Sequence, residues 1–167
     1  MKAEHGFTLI ELVVVVALIG TMLAIATLNF SQLNEKYRVE SSIKEIYSFL
    51  LRARNDATTT NIQRVVTFGA SQVQAGVDTN LDGVIDGTPT TINFQRFVLS
   101  CGTGVSPPSC VAGTDKVVFD RRGLTTNNQT ISITNFSAGV RPATDCLVIS
   151  ATRINMGLMT GGACVQR

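Results

Sequence analysis

Apolar residues fill one unbroken stretch near the start of the chain and then give way to two different periodicities. From Phe7 to Leu28, 22 residues carry a single charge, Glu11. As a helix this stretch reaches roughly 33 Å, enough to span a bilayer core. Gly20 is its one flexible point. Phe30, Leu33 and Tyr37 then step by three or four residues. After a polar gap, Ile43, Ile46, Tyr47, Leu50, Ala53 and Ala57 read as a return of the same apolar face, with Glu35, Lys36, Arg38, Glu40, Lys44 and Arg52 on the others. No proline precedes Pro89, so nothing forces a break. The pattern predicts one helix over about 7–59, a membrane-length half at 7–28 and an amphipathic continuation over 29–60, ending at the weak helix formers Thr58-Thr59-Thr60-Asn61.

After Asn61 the period changes to two. Residues 64–68 read as a strand, and Val73, Ala75 and Val77 alternate with Gln72, Gln74 and Gly76. Residues 91–99, 116–120, 129–136 and 146–154 complete a set of about six short strands. Turn residues separate them: Gly69, Gly83, Gly87, Pro107-Pro108, Gly123, Asn127-Asn128 and Gly139. The expected fold class is α+β, a long N-terminal helix followed by an antiparallel β-rich globular domain over 61–167.

Glu11 decides how the apolar block is read. A secretory signal peptide would account for Lys2 and for Ala24-Ile25-Ala26 as a cleavage site. It would not account for a carboxylate near the front of the apolar run, costly in hydrocarbon and needless for export. The same residue counts against a plain membrane anchor. The segment Gly6-Phe7-Thr8-Leu9-Ile10-Glu11 resembles the type IV prepilin motif, a glycine and a phenylalanine with a glutamate four residues after the phenylalanine. The resemblance implies that a membrane peptidase cuts the 1–6 leader between Gly6 and Phe7 and methylates the new Phe7 amine. It implies that the helix stays in the mature protein, and that Glu11 makes an assembly salt bridge to the Phe7 ammonium of a neighbouring subunit. Farther on, Leu50-Leu51-Arg52-Ala53-Arg54-Asn55-Asp56-Ala57, Val65-Val66-Thr67-Phe68, Phe119-Asp120-Arg121-Arg122-Gly123 and Thr152-Arg153-Ile154 are similar to the GspH/FimT family of minor pilins and pseudopilins. That likeness implies a structural subunit of a type IV pilus or type II secretion pseudopilus, more a minor, tip-proximal component than a major one. Its partners would be other pilin or pseudopilin subunits, the prepilin peptidase and an inner-membrane assembly platform. It would sit single-pass in the inner membrane with a periplasmic domain, and then in a filament.

Composition narrows the chemistry. The one histidine, His5, precedes Phe7, so a mature chain has no Ser-His-Asp triad and no His-bearing metal site. No CxxC, P-loop or GxGxxG is present. An enzyme is not expected. Formal charge is only +2, which demands no acidic partner. Four cysteines, Cys101, Cys110, Cys146 and Cys164, allow three pairings. Short loops close at least entropic cost, favouring Cys101–Cys110 and Cys146–Cys164 over the others or over buried thiols.

Asp78, Asn80, Asp82, Gly83 and Asp86 outline the front of an EF-hand-type calcium loop. The position of its bidentate glutamate holds Pro89, so a simple turn is the alternative and no cofactor is expected beyond a possible structural calcium. Arg121, Arg122, Arg141, Arg153 and Arg167 raise DNA uptake, which some members of the resembled family perform through a Gly-Arg-x-Arg motif. Here the corresponding stretch, Thr152-Arg153-Ile154-Asn155, keeps one arginine of two. Phosphate affinity scales with cationic contacts, so nucleic acid is set aside as a partner and a solvated basic face preferred.

Overall fold

The computed structural model describes residues 7–104 and 107–166, and of residues 25–29 the backbone alone. Its first element, α1 (Leu9–Thr60), is one continuous helix of 52 residues. Thr58 and Thr60 turn their hydroxyls onto the carbonyls of Asn55 and Asp56, local bonds of a kind that weakens a helix. Asn61 then ends it at φ 55° and ψ 34°, a left-handed conformation that a short amide side chain tolerates.

The buried stripe of α1 is Val39, Ile43, Ile46, Leu50, Ala53 and Ala57, none more than 5% exposed. Burying each of its larger side chains favours folding by about 1.5–3 kcal/mol. Phe30, Leu33 and Tyr37 lie elsewhere, at 69%, 45% and 58% exposure. The six-residue step from Tyr37 to Ile43 turns the helix by about 600°, or about 240° beyond one full turn. The two apolar sets therefore look in different directions, which corrects the expectation of a single face.

Among the described residues nine strands follow: β1 (Gln63–Phe68), β2 (Gln72–Asp78), β3 (Asp86–Asn93), β4 (Leu99–Cys101), β5 (Lys116–Phe119), β6 (Gln129–Ile133), β7 (Cys146–Ile149), β8 (Ile154–Thr160) and β9 (Ala163–Gln166). They form two antiparallel sheets, in the orders β3-β2-β1-β5 and β4-β6-β7-β8-β9. Two expected strands need correction. Residues 91–99 hold the end of β3, a crossing and the start of β4. There the Phe94 and Leu99 N–H groups donate to the Ser71 and Ala70 carbonyls, which carries the chain from one sheet to the other. Residues 146–154 hold all of β7 and the start of β8, separated by a tight turn in which the Ser150 N–H donates to the Arg153 carbonyl.

Both sheets pack on α1. One contributes Val66, Phe68, Val117 and Phe119 to the core, the other Leu99, Ile131, Ile133, Leu147 and Ile149. The β6–β7 connection adds a polar strap, its Ser137 and Ala143 N–H groups donating to the Glu35 and Glu40 carboxylates at 3.0 and 2.8 Å. Bonding by the Ser137 side chain and backbone holds the Glu35 carboxyl below its usual range. By that shift the strap's contribution is present above the ordinary glutamate pKa and fades as pH falls through the depressed one. The domain thus grips α1 by hydrogen bonds and core packing from residue 35 onward.

Candidate functional site

The apolar half of α1 begins at a cap built from its own residues. Thr8 is the N-cap, extended at φ −79° and ψ 150°, and its Oγ1 accepts the Glu11 N–H at 3.3 Å. Thr8-Leu9-Ile10-Glu11 has the Thr-x-x-Glu spacing of a capping box, a local signal distinct from the hydropathy of the apolar block. Glu11 stands in the first turn, where aligned peptide dipoles favour negative charge. The first turn of the helix is thus capped by a residue of its own. Phe7 itself is 81% exposed and not helical, suited to lie beside a cut. Gly6, and the Gly6–Phe7 junction with it, lies outside the described residues.

From Leu9 to Leu23 the large apolar side chains stand exposed, Leu12, Val16, Ile19 and Met22 among them. Among the described residues no helix is long and apolar enough to cross a membrane. The described side chains of the apolar stretch stop at residue 24.

The acidic loop between β2 and β3 satisfies itself. Asp78 is fully buried. Its Oδ1 accepts the Leu81 and Asp82 N–H groups, and its Oδ2 accepts Gly83 N–H and the Gln63 amide. Asp86 turns to Thr79, whose hydroxyl and N–H hold its carboxyl below the usual range. Asn80 and Asp82 bond one another, and the Lys116 ammonium donates to the Gly83 carbonyl at 2.6 Å. Among the described residues, Asp78, Asp82 and Asp86 do not converge as a ligand cluster. The one group that does is Cys101, Cys110 and Asp115, whose sulfurs are joined to each other. A calcium ion would have to displace four donors from Asp78 and share the loop with an ammonium. We infer a closed turn, and excess calcium is expected to leave the melting temperature of the chain unchanged. A rise would overturn this, since a ligand of the native state must stabilise it.

The cysteines pair as Cys101–Cys110 and Cys146–Cys164. The second bridge crosses a strand. Cys146 of β7 lies opposite Gly157 of β8, and β9, which carries Cys164, pairs with the other edge of β8. Strands two apart in a sheet are ordinarily roughly 9–10 Å apart, yet these Cα atoms are 6.0 Å apart. The sheet curls at Gly157, where an added Cβ would lie 2.4 Å from the Val165 carbonyl oxygen and 2.8 Å from the Cys164 sulfur. A glycine inside a strand run signals such close approach.

The basic residues do not form one patch. Arg121 and Arg122 precede Gly123, whose position packs on Thr58 and Arg54, and Arg122 pairs with Asp120 at 3.8 Å. Arg153 stands in the β7–β8 turn, beside the Thr152 carbonyl that accepts from Arg54. Arg141 shares a cavity with Lys36 instead, some 27 Å along the helix from Arg54 by the rise per residue. Arg167 lies outside the described residues.

Comparison with known proteins places this geometry in a family. Residues 42–152 match the family described as type II transport protein GspH, and residues 1–27 match the prokaryotic N-terminal methylation motif. A fimbrial protein of Pseudomonas aeruginosa is 30% identical over 103 residues, covering 52% of this chain and 67% of that protein. The crystal structure of the type IV minor pilin FimU of P. aeruginosa superposes with a TM-score of 0.54 at 17% identity, over 79% of this chain and 96% of that one. The minor pseudopilin EpsH from the type II secretion system of Vibrio cholerae gives 0.53 at 14%, over 77% and 98%. At these identities the two structures share the fold.

Proposed function

The chain belongs to the type II transport protein GspH family of minor pilins and pseudopilins, and on that premise we propose a non-catalytic filament subunit of a type IV pilus or type II secretion pseudopilus. In this reading the prepilin peptidase cuts between Gly6 and Phe7 and methylates the Phe7 amine. The apolar half of α1 then holds the subunit in the inner membrane, its domain in the periplasm, until an assembly platform moves it among the helices of other subunits. The observation that carries the proposal is the division of α1: apolar and exposed from Leu9, gripped by the domain from Glu35 and Val39. One continuous helix thereby links a lipid-compatible rod to a polar head. The apolar run from Phe7 through Leu28 has the length and composition that fit the bilayer core. The two disulfides fit an oxidising compartment.

The processing step has a direct test. Intact-mass measurement of chain extracted from membranes is expected to give a species beginning at methylated Phe7. A chain beginning at Thr27 would overturn the proposal in favour of a periplasmic protein released after Ala26.

A further inference from the structure

We propose that the seam between α1 and the first sheet holds a receptor for a single carboxylate, built on Arg64. In β1, Val66 and Phe68 face the helix and lie in the core. Side chains two residues apart share a face, so Arg64 points inward with them, where the alternation would place an apolar residue. Its Nε is buried and bonds to nothing among the described residues. Arg64 borders a cavity of about 130 Å³ lined on β2 by Ala75 and Gly76, with Arg52 and Asp56 at its helix side and Thr90 on β3.

Among the described residues neither arginine pairs with Asp56 within 4 Å, and two guanidinium groups line the space against one carboxylate. A buried cationic donor left without an acceptor is costly, and the usual completion is a water, an ion or a partner group. The volume admits a few waters or one planar carboxylate. The guanidinium fork matches two carboxylate oxygens side by side. A phosphodiester would have to carry two chain arms past the helix and the sheet. Resting on the assembly reading above, the carboxylate is an Asp or Glu of the adjacent subunit, because packed subunits bring their surfaces together in a fixed register.

The test uses the full-length chain in detergent with ¹⁵N-labelled arginine. Sodium acetate is expected to shift the Arg64 Nε–H resonance saturably, where sodium chloride at equal ionic strength does not. Arg52→Gln is expected to weaken the effect about tenfold, the loss of one charge-assisted partner. An equal response to chloride, or none to acetate, overturns the site. A duplex oligonucleotide shifting the same resonance at lower concentration than acetate overturns the choice of carboxylate. In cells, Arg64→Gln with both disulfides formed is expected to enter filaments several-fold less than wild type. Acetate binding with unchanged incorporation overturns the adjacent subunit as the source. If wild-type chain itself never copurifies with filaments, the assembly reading fails while the acetate titration still decides the pocket.

Discussion

A Gly157→Val chain is expected to lose the Cys146–Cys164 bridge and to melt about 10 °C below wild type. The cysteines reach each other only because the sheet curls at Gly157, bringing Cα atoms from strands two apart to 6.0 Å. A Cβ there would sit 2.4 Å from the Val165 oxygen and 2.9 Å from its carbonyl carbon. These are backbone atoms, so no rotamer relieves the contact and β9 must move away from β8. Once the Cα separation exceeds about 7 Å the bridge cannot close. By chain entropy, a loop of this length contributes about 3 kcal/mol, and the ladder from Gly157–Gln166 to Thr160–Ala163 weakens with it. A Cys146→Ser, Cys164→Ser chain separates the two effects. If Gly157 served the disulfide alone, Gly157→Ala would cost nothing in that background. The backbone contact predicts a further loss there. Thiol counting under denaturing conditions and thermal melts measure both, and a Gly157→Val chain with its bridge intact and its melting temperature unchanged would refute the argument.

The helix and the family were legible because their signals are local and physical. A lone glutamate near the front of the apolar run, the 3.6-residue spacing from Ile43 to Ala57 and the absence of proline each act without help from the rest of the fold. What escaped reading depends on contacts distant in sequence. The turn at Ser150–Arg153 carries no glycine or proline, so Cys146 to Ile154 looked like one apolar strand. Gly157 sits among Met156, Leu158 and Met159 like an ordinary small residue until β9 returns against it. Phe30, Leu33 and Tyr37 have correct helical spacing among themselves, and only the phase across the gap to Ile43 shows that they look away from the core. Arg64 stands where alternation asks for an apolar side chain. That mismatch was visible in the sequence, but its meaning required the cavity beside it.

Glu11→Val is expected to be cleaved and inserted normally yet to enter filaments poorly. The cap does not need the carboxylate, because Thr8 accepts the backbone N–H of residue 11. Valine therefore keeps the helix start and forfeits only the charge at the positive end of the dipole, about 0.3–1 kcal/mol. In the bilayer the change is neutral or favourable. An acidic residue at the centre of a membrane helix costs about 2.5–3.5 kcal/mol, and less near an end, where the side chain reaches the interface. Assembly reverses the sign. Among other subunits' helices, away from water, the Phe7 ammonium of a neighbour needs a counter-charge, and removing one member of a buried pair costs about 3–5 kcal/mol. At about 1.4 kcal/mol per factor of ten, incorporation falls by about a hundredfold or more relative to wild type. Glu11→Gln keeps size and hydrogen bonding while losing charge, so it is expected to behave like the valine chain. Mass spectrometry of the membrane fraction checks cleavage, and sheared filaments probed for the subunit check incorporation. Wild-type incorporation of the valine chain would remove the salt bridge from the mechanism. An uncleaved valine chain would move the role of Glu11 to recognition by the peptidase, and a glutamine chain that assembles normally would make that role one of hydrogen bonding rather than charge.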